Sequence, residues 1–339
     1  MTDRGFRGSV NAVNSPAPKD ASPRKIFVDG QAGTVGLRIH ELVAPRRDLD
    51  VVRIDDAQRK DATARRACYR QADAVVLCLP DDAAAEAVAL AAETGVRVLD
   101  ASSAHRVSAG WVYGLPELTA GQRAAIADAP RVSNPGCYPT AVILLLRPLV
   151  DAGLLPAEAP IAVHALSGYS GGGRSKIERW EDAGLGLSTL PYEAPYGLDR
   201  RHKHVPEMTR HAALASEPLF VPAVGPFRCG MRVEIPLHAK FLGARANARA
   251  LWEALAARYQ GERFVEVAPF DDNPVRDERS LDPTALNDTN RIRLVVVPHA
   301  TGHVLLVALL DNLGKGAAGA AVQNLNLMLG LDEAAGLAG

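Results

Sequence analysis

Charge imbalance is almost missing from this sequence: 38 Lys and Arg stand against 39 Asp and Glu, for a formal net charge of -1. Without an excess of positive charge nothing draws the chain electrostatically to nucleic acid or to an anionic membrane surface. Cysteine is also sparse. The four residues Cys68, Cys78, Cys137 and Cys229 are widely spaced and form no C-x-x-C pair. That argues against a disulfide framework or a zinc site, and for a reducing compartment. No apolar run reaches the roughly 20 residues of a membrane span, and residues 1–23 lack the apolar stretch of a secretory signal. A cytoplasmic location is expected, with neither a membrane nor a nucleic-acid partner. There is no internal repeat. What the chain does have is 339 residues with 47% hydrophobic content, enough for two domains with cores of their own.

Residues 1–23, rich in Asn, Ser and Pro, read as a loose leader. Order is expected from Arg24. Lys25–Asp29 is a short apolar strand, followed by the glycine turn Gly30-Gln31-Ala32-Gly33-Thr34-Val35-Gly36 and a helical pattern through Leu37, Ile39 and Leu42. A glycine-rich turn between strand and helix lets backbone approach a phosphate that the helix N-terminus stabilises. Its spacing is G-x-x-G-x-x-G, so a plain tight turn competes with the nucleotide reading. A second strand, Val51–Ile54, ends in Asp55-Asp56-Ala57-Gln58-Arg59-Lys60. In a dinucleotide fold that point meets the adenosine ribose, and Arg59 and Lys60 favour the 2′-phosphate of NADP. The strands Ala74–Pro80 and Val96–Asp100, with an alanine-rich helix between them, continue a β-α-β alternation that predicts a parallel, doubly wound sheet. Ser102, Ser103 and Arg106 follow at the carboxyl end of a strand, where such sheets bind ligands.

Beyond Ile161 the pattern changes. Strands at Ile161–Ala165, Met231–Leu237, Arg291–Val297 and Val304–Leu309 are separated by long loops, with one clear helix from Ala246 to Tyr259. This predicts a second, α+β domain with a mixed, largely antiparallel sheet. Two polar clusters lie in it. Ser167-Gly168-Tyr169-Ser170-Gly171-Gly172-Gly173-Arg174 can wrap backbone amides around an anion. His202-Lys203-His204-Val205-Pro206-Glu207 brings two imidazoles close to a carboxylate; it lacks a third metal ligand and suits acid/base work, with Glu207 orienting an imidazole. Asp311–Gly319 is a further small-residue turn before a helix, in which Asn312 can hydrogen-bond a nicotinamide amide.

The centre of the pattern is Ser133-Asn134-Pro135-Gly136-Cys137-Tyr138-Pro139-Thr140, running into Ala141–Leu146. Turn chemistry precedes Cys137 and a buried helix follows it. There the helix dipole and unpaired N–H groups favour a thiolate at neutral pH, which is what a nucleophile needs.

Asn-Pro-Gly-Cys-Tyr-Pro-Thr together with His-Lys-His-x-Pro-Glu resembles the N-acetyl-γ-glutamyl-phosphate reductases in their shorter bacterial form. The likeness extends from Lys25 to about Gly330, with Gly30–Gly36, Asp100–Arg106, Tyr113–Glu117, Ser167–Arg174 and Asp311–Gln323 as further matching pieces. One departure is Leu145, where the family has a small residue. The resemblance implies a relative of the aspartate-semialdehyde and glyceraldehyde-3-phosphate dehydrogenases that uses NADP(H) and is a homodimer or homotetramer. Its last helix would return to the first domain, giving a Rossmann domain of residues 24–137 and 313–339 around a catalytic domain of 138–312. Cys137 would attack an acyl phosphate and carry a thioester. His202 or His204 would manage protons, with Glu207 beside them. Cofactor contacts would fall at Gly30, Gly33, Thr34, Val35, Gly36, Arg59, Lys60, Pro80, Ser102, Ser103, Gly168, Asn312 and Gly314. Arg106, Asn134, Ser167 and Gly171 would hold substrate, and no metal is implied. Competing readings are a sister acyl-phosphate reductase, a cysteine hydrolase or a non-catalytic nucleotide-binding protein.

Overall fold

The structure, a computed structural model, describes residues 22–339; the leader expected at 1–23 lies almost wholly outside them. Strand β1 (Arg24–Asp29) passes through the glycine turn into α1 (Thr34–Val43), then β2 (Leu49–Val51) and α2 (Ala62–Gln71) follow. β3 (Ala74–Leu77), α3 (Asp81–Ala92), β4 (Arg97–Asp100), β5 (Val112–Tyr113), α4 (Gln122–Asp128) and β6 (Arg131–Ser133) complete this half. The strands form a six-stranded, all-parallel sheet of order β2-β1-β3-β4-β6-β5. The second strand is shorter than expected, and Val52–Ile54 are already loop.

Successive residues of the sheet point to opposite faces, and both faces are buried. Phe27, Val75, Leu77 and Val98 pack against Cys68, Tyr69, Ala87 and Leu90 from α2 and α3. Ile26, Val28, Val76, Leu99 and Val132 meet Ile39 and Val43 from α1, and on the same side Ala321, Val322, Leu325 and Met328 from the far end of the chain. The near-continuous apolar runs of these short strands are therefore the signature of a sheet covered twice.

Helix α5 (Cys137–Asp151) follows β6 after a three-residue turn and crosses to a second layer. Its residues from Tyr138 to Leu146 are all buried, Leu145 included, so a helix apolar on every side is enclosed on every side. Pro148 removes the N–H that would reach the Leu144 carbonyl. The Tyr259 hydroxyl donates to that carbonyl at 2.7 Å instead. Beneath α5 runs a mixed seven-stranded sheet. Its members are β7 (Ala162–Gly168), β8 (Ala194–Pro195), β9 (Leu219–Gly225), β10 (Met231–Leu237), β11 (Val265–Val267), β12 (Ile292–Pro298) and β13 (Val304–Leu310). Their order is β11-β12-β13-β10-β7-β9-β8. Of three further helices, α6 (Arg174–Glu181) and α7 (Val205–His211) were not foreseen and are short and polar, whereas α8 (Ala248–Arg258) carries the expected pattern. After β13 a π-helical turn, Gly314–Ala318, leads into α9 (Gly319–Leu329), which lies on the first sheet. No helix among the described residues is long and apolar enough to cross a membrane.

Candidate active site

Cys137 occupies the first position of α5, where the chain leaves the carboxyl edge of the parallel sheet for the second layer. Gly136 is extended there and offers no side-chain cap, so the first amides of the helix remain free donors. A cavity of about 380 Å³ opens at this seam. Its walls include Thr34 and Val35 from α1, Arg106, Cys137 and Tyr138, Ser167, Gly168 and Ser170 to Gly173, Lys176, Tyr196, His202, Lys203, His204, and Asn312, Leu313, Gly316 and Ala317. Among the described residues no carboxylate lines it.

Arg106 and His204 converge on Gly136: a Cβ built there would stand 2.5 Å from the Arg106 guanidinium and 2.8 Å from His204 Nε2. Glycine is needed so that both can lie beside the cysteine. His204 is buried, and burial, Arg106, His202 and Lys203 hold it well below the usual histidine value. Burial and Lys203 lower His202 to about 4. Both rings are neutral at physiological pH. The His204 amide donates to His202 Nδ1 at 3.2 Å, so a neutral His202 carries its proton on Nε2.

The thiol corrects an expectation. Burial pushes Cys137 up to about 11, and the amides of Tyr138 and Cys137 with the Arg106 charge pull it down only in part. In the ligand-free protein the group is a thiol, because desolvation outweighs the helix terminus. Those two amides nevertheless point at the sulfur region, where they can meet a developing oxyanion.

Glu207 does not orient an imidazole. It is almost fully buried behind the cysteine loop, where it accepts from the Tyr113 hydroxyl at 2.6 Å, the Gly136 amide at 2.8 Å and Arg106 at 3.1 Å. Burial opposes the Arg106 charge, but Glu207, Tyr113 and Cys137 leave it above its ordinary value, so it stays a cation. The Asp100–Arg106 loop is braced from within. Asp100 accepts from the Ser102 amide and hydroxyl at 2.9 and 2.7 Å, and pairs with His105 at 2.6 Å.

Other expected residues take a supporting place. Asn312 lines the cavity, but its amide is committed to the Gly230 N–H at 2.8 Å and the Ser170 hydroxyl at 2.9 Å. Asn134 is likewise held, between the Ala317 carbonyl and Asn324. Ser103 donates to Asp81 and Ser102 to Asp100, so neither hydroxyl is free for a phosphate, and neither lines the cavity. At Gly168 and Gly314 an added Cβ would strike the Arg228 and Thr289 carbonyls; Gly168 also lines the cavity, and Gly314 does not. Gly316 comes closest to the nucleophile, its absent Cβ being 2.8 Å from that of Cys137. Ser167 and Gly171 line the cavity. Arg59 and Lys60 lie exposed in the loop after β2, and Pro80 precedes α3 at the end of β3, all outside this cavity.

The glycine turn fits a dinucleotide. Gly30 has φ +91°, Gly33 closes the turn with a 3.0 Å bond to the Gly30 carbonyl, and a Cβ on Gly36 would stand 2.6 Å from that oxygen. The bare N-terminus of α1 then faces the cavity through Thr34 and Val35. Sequence reasoning passed over Lys176, Tyr196 and Lys203. Lys203 stood inside a quoted motif, while Lys176 and Tyr196 follow a glycine loop with no spacing to mark them.

Comparison with known proteins agrees with this geometry. A family model described as "Semialdehyde dehydrogenase, NAD binding domain" matches residues 26–129, and one described as "Semialdehyde dehydrogenase, dimerisation domain" matches 137–312. The chain is 51% identical to N-acetyl-gamma-glutamyl-phosphate reductase 2 of Nostoc sp. over 92% of its length and 99% of the relative's. It is 50% identical to reductase 2 of the same name from Pseudomonas putida, over 92% of the chain and 98% of the relative. Among solved structures, aspartate semialdehyde dehydrogenase II of Vibrio cholerae superposes with a TM-score of 0.66, covering 91% of this chain and 99% of that one at 17% identity. The enzyme from Candida albicans gives 0.64 over 91% and 98%, at 14% identity. The chain belongs to the N-acetyl-gamma-glutamyl-phosphate reductases, within the semialdehyde dehydrogenase family.

Proposed function

We propose that the chain catalyses NADPH-dependent reduction of N-acetyl-γ-glutamyl phosphate to the 5-semialdehyde and phosphate, a step of arginine biosynthesis. The observation that carries this is Cys137 at a bare helix N-terminus, with Arg106 and a neutral His204 converging on the preceding glycine. The relatives' names supply the substrate.

The Cys137 thiol passes its proton to a neutral imidazole as its sulfur attacks the acyl carbon. His204 is the nearer ring to Gly136 and suits this role; His202 is the next ring, 4.8 Å away. The amides of Cys137 and Tyr138 stabilise the oxyanion of the tetrahedral intermediate. Phosphate then leaves toward Arg106, whose charge Glu207 fixes in place, and a thioester on Cys137 remains. The Gly30–Gly36 turn and the bare N-terminus of α1 would hold the diphosphate of NADPH, and the cofactor would supply the hydride that reduces the thioester. Arg59 and Lys60, exposed in the loop after β2, would favour a 2′-phosphate. A protonated histidine then lets the sulfur leave as thiol and aldehyde form.

Residues 24–137 and 313–339 serve as the nucleotide domain in this reading, and 138–312 as the catalytic and oligomerisation domain. A homodimer or homotetramer is supported by the dimerisation-domain match and by the half-buried face of β7 and β10 that carries His164, Arg232 and Glu234; the relatives' names as biosynthetic reductases support a cytoplasmic location. The test is the reverse reaction. Phosphate-dependent reduction of NADP by N-acetylglutamate 5-semialdehyde, absent in Cys137→Ser, supports the proposal; turnover with aspartate 4-semialdehyde alone overturns it.

A further inference from the structure

Three cations line the cavity, Arg106, Lys176 and Lys203. Their places differ. Arg106 is at Gly136 and is the cation that bears on the Cys137 thiol. Lys203 acts on both histidines and on Asp81. Lys176 stands on the wall formed by Gly172 and Tyr196. Its methylenes lie against Gly172, and its ammonium is 4.6 Å from the centroid of the Tyr196 ring. Tyr196 meets His202 edge-on at 5.9 Å, and His202 meets His204 at 4.8 Å. A run of ring contacts, Tyr196, His202 and His204, thus links Lys176 to the glycine beside the nucleophile, and Lys176 is not among the charges that bear on the Cys137 thiol.

The Lys176 ammonium is half-buried, and burial followed by the Arg179 charge lowers it from its ordinary value; no acidic side chain among the described residues offsets its charge. The Tyr196 face is only a partial counter-charge. A partly desolvated cation of this kind gains from an anionic ligand.

An acyl-phosphate substrate of the proposed reaction carries two anions at fixed separation. Its phosphoryl group hangs by one oxygen from the carbon that sulfur attacks, so it lies beside Cys137 and Arg106. Its carboxylate is four carbon–carbon bonds away, about 5 Å when extended with bonds of ~1.5 Å. The more distant cation suits the more distant anion. We propose that Lys176 Nζ holds the α-carboxylate of the amino-acid substrate, while the phosphate belongs to the Arg106 side of the cavity. This rests on the acyl-phosphate reductase reading above.

The reverse reaction separates the two anions, because the semialdehyde and inorganic phosphate are then distinct substrates. Wild type, Lys176→Met, Lys176→Gln and Lys176→Arg are compared by following NADPH formation. The expected result is a KM for N-acetylglutamate semialdehyde raised at least about tenfold in the Met and Gln variants, the loss of one charge-assisted bond. KM for phosphate and for NADP stays within about twofold, and Lys176→Arg recovers most of the loss. A KM rise for phosphate instead, a fall in kcat with every KM unchanged, an equal rise in all three, or no change overturns the assignment. A silent wild type overturns the reductase reading and the assignment with it, whereas an active wild type with the wrong variant pattern overturns the assignment alone.

Discussion

At the scale of single residues, the resting protonation of the site sets its chemistry. Cys137 is driven up to about 11 by burial while the histidines are driven down, so the ligand-free cavity holds a thiol beside two neutral imidazoles. The proton is thus already on the group that must lose it, with an acceptor at hand. Alkylation of Cys137 by iodoacetamide, read by mass spectrometry of its peptide, is expected to rise about tenfold per pH unit from 7 to 9.5 without levelling, since only the thiolate reacts. A plateau below pH 8 means that the thiolate forms in the free protein. The residue types of this site were legible in the sequence, because turn, nucleophile and helix fall in one short run. Their protonation was not: the helix terminus can be read from spacing, but the desolvation that opposes it depends on walls brought from Arg106, His204 and Gly316, far apart in the chain. Glu207 misled for the same reason. Three residues from His204 in sequence, it turns away to Tyr113, Gly136 and Arg106.

At the scale of elements, α5 shows how a local fault is repaired from a distance. Pro148 would leave the Leu144 carbonyl unsatisfied inside an apolar helix, and the Tyr259 hydroxyl at the end of α8 supplies the missing donor. Tyr259→Phe removes only that oxygen from a fully enclosed site. The expected cost is ~1–3 kcal/mol, the penalty for a buried acceptor without a partner, read as a lower urea midpoint with unchanged slope. An unchanged midpoint means that water reaches Leu144. Strands β1 to β4 of the first sheet and the long helix α5 were readable because period and apolar runs report burial directly, whereas the two-residue β5 was not. The short helices α6 and α7 were not. Each is polar and held by its surroundings, α6 by Trp180 stacked on Tyr169 and α7 by Val205 and Met208 in the second core, and neither kind of support leaves a mark in local sequence.

At the scale of the whole molecule, the two sheets are joined by charge as well as by apolar packing. Lys315, in the turn that sends the chain back to the first sheet, is fully buried; it donates to Glu117 at 2.7 Å and to Gln323 at 2.7 Å, with Phe264 of the other layer 5.6 Å from its nitrogen. Burial by itself would raise Glu117, but Lys315, Gln323 and Arg123 hold its carboxyl below the usual range. A carboxylate lowered on folding adds stability that is complete above its unfolded pKa of about 4.3 and is lost as pH falls through the folded value. Lys315→Met reverses the sign at this site. The buried carboxyl, now unpaired, is raised, so the folded state takes up a proton that the unfolded state does not, and stability drops as pH rises through the new value. Urea unfolding at pH 7.5 is expected to show Lys315→Met weaker than wild type by ~3–5 kcal/mol, as for other buried pairs cut on one side. The gap should narrow toward pH 5, and adding Glu117→Gln should recover part of it at pH 7.5 and little at pH 5. A gap independent of pH, or a double variant no more stable than the single one, would mean that the seam rests on packing around the Lys315 methylenes and not on the paired charge.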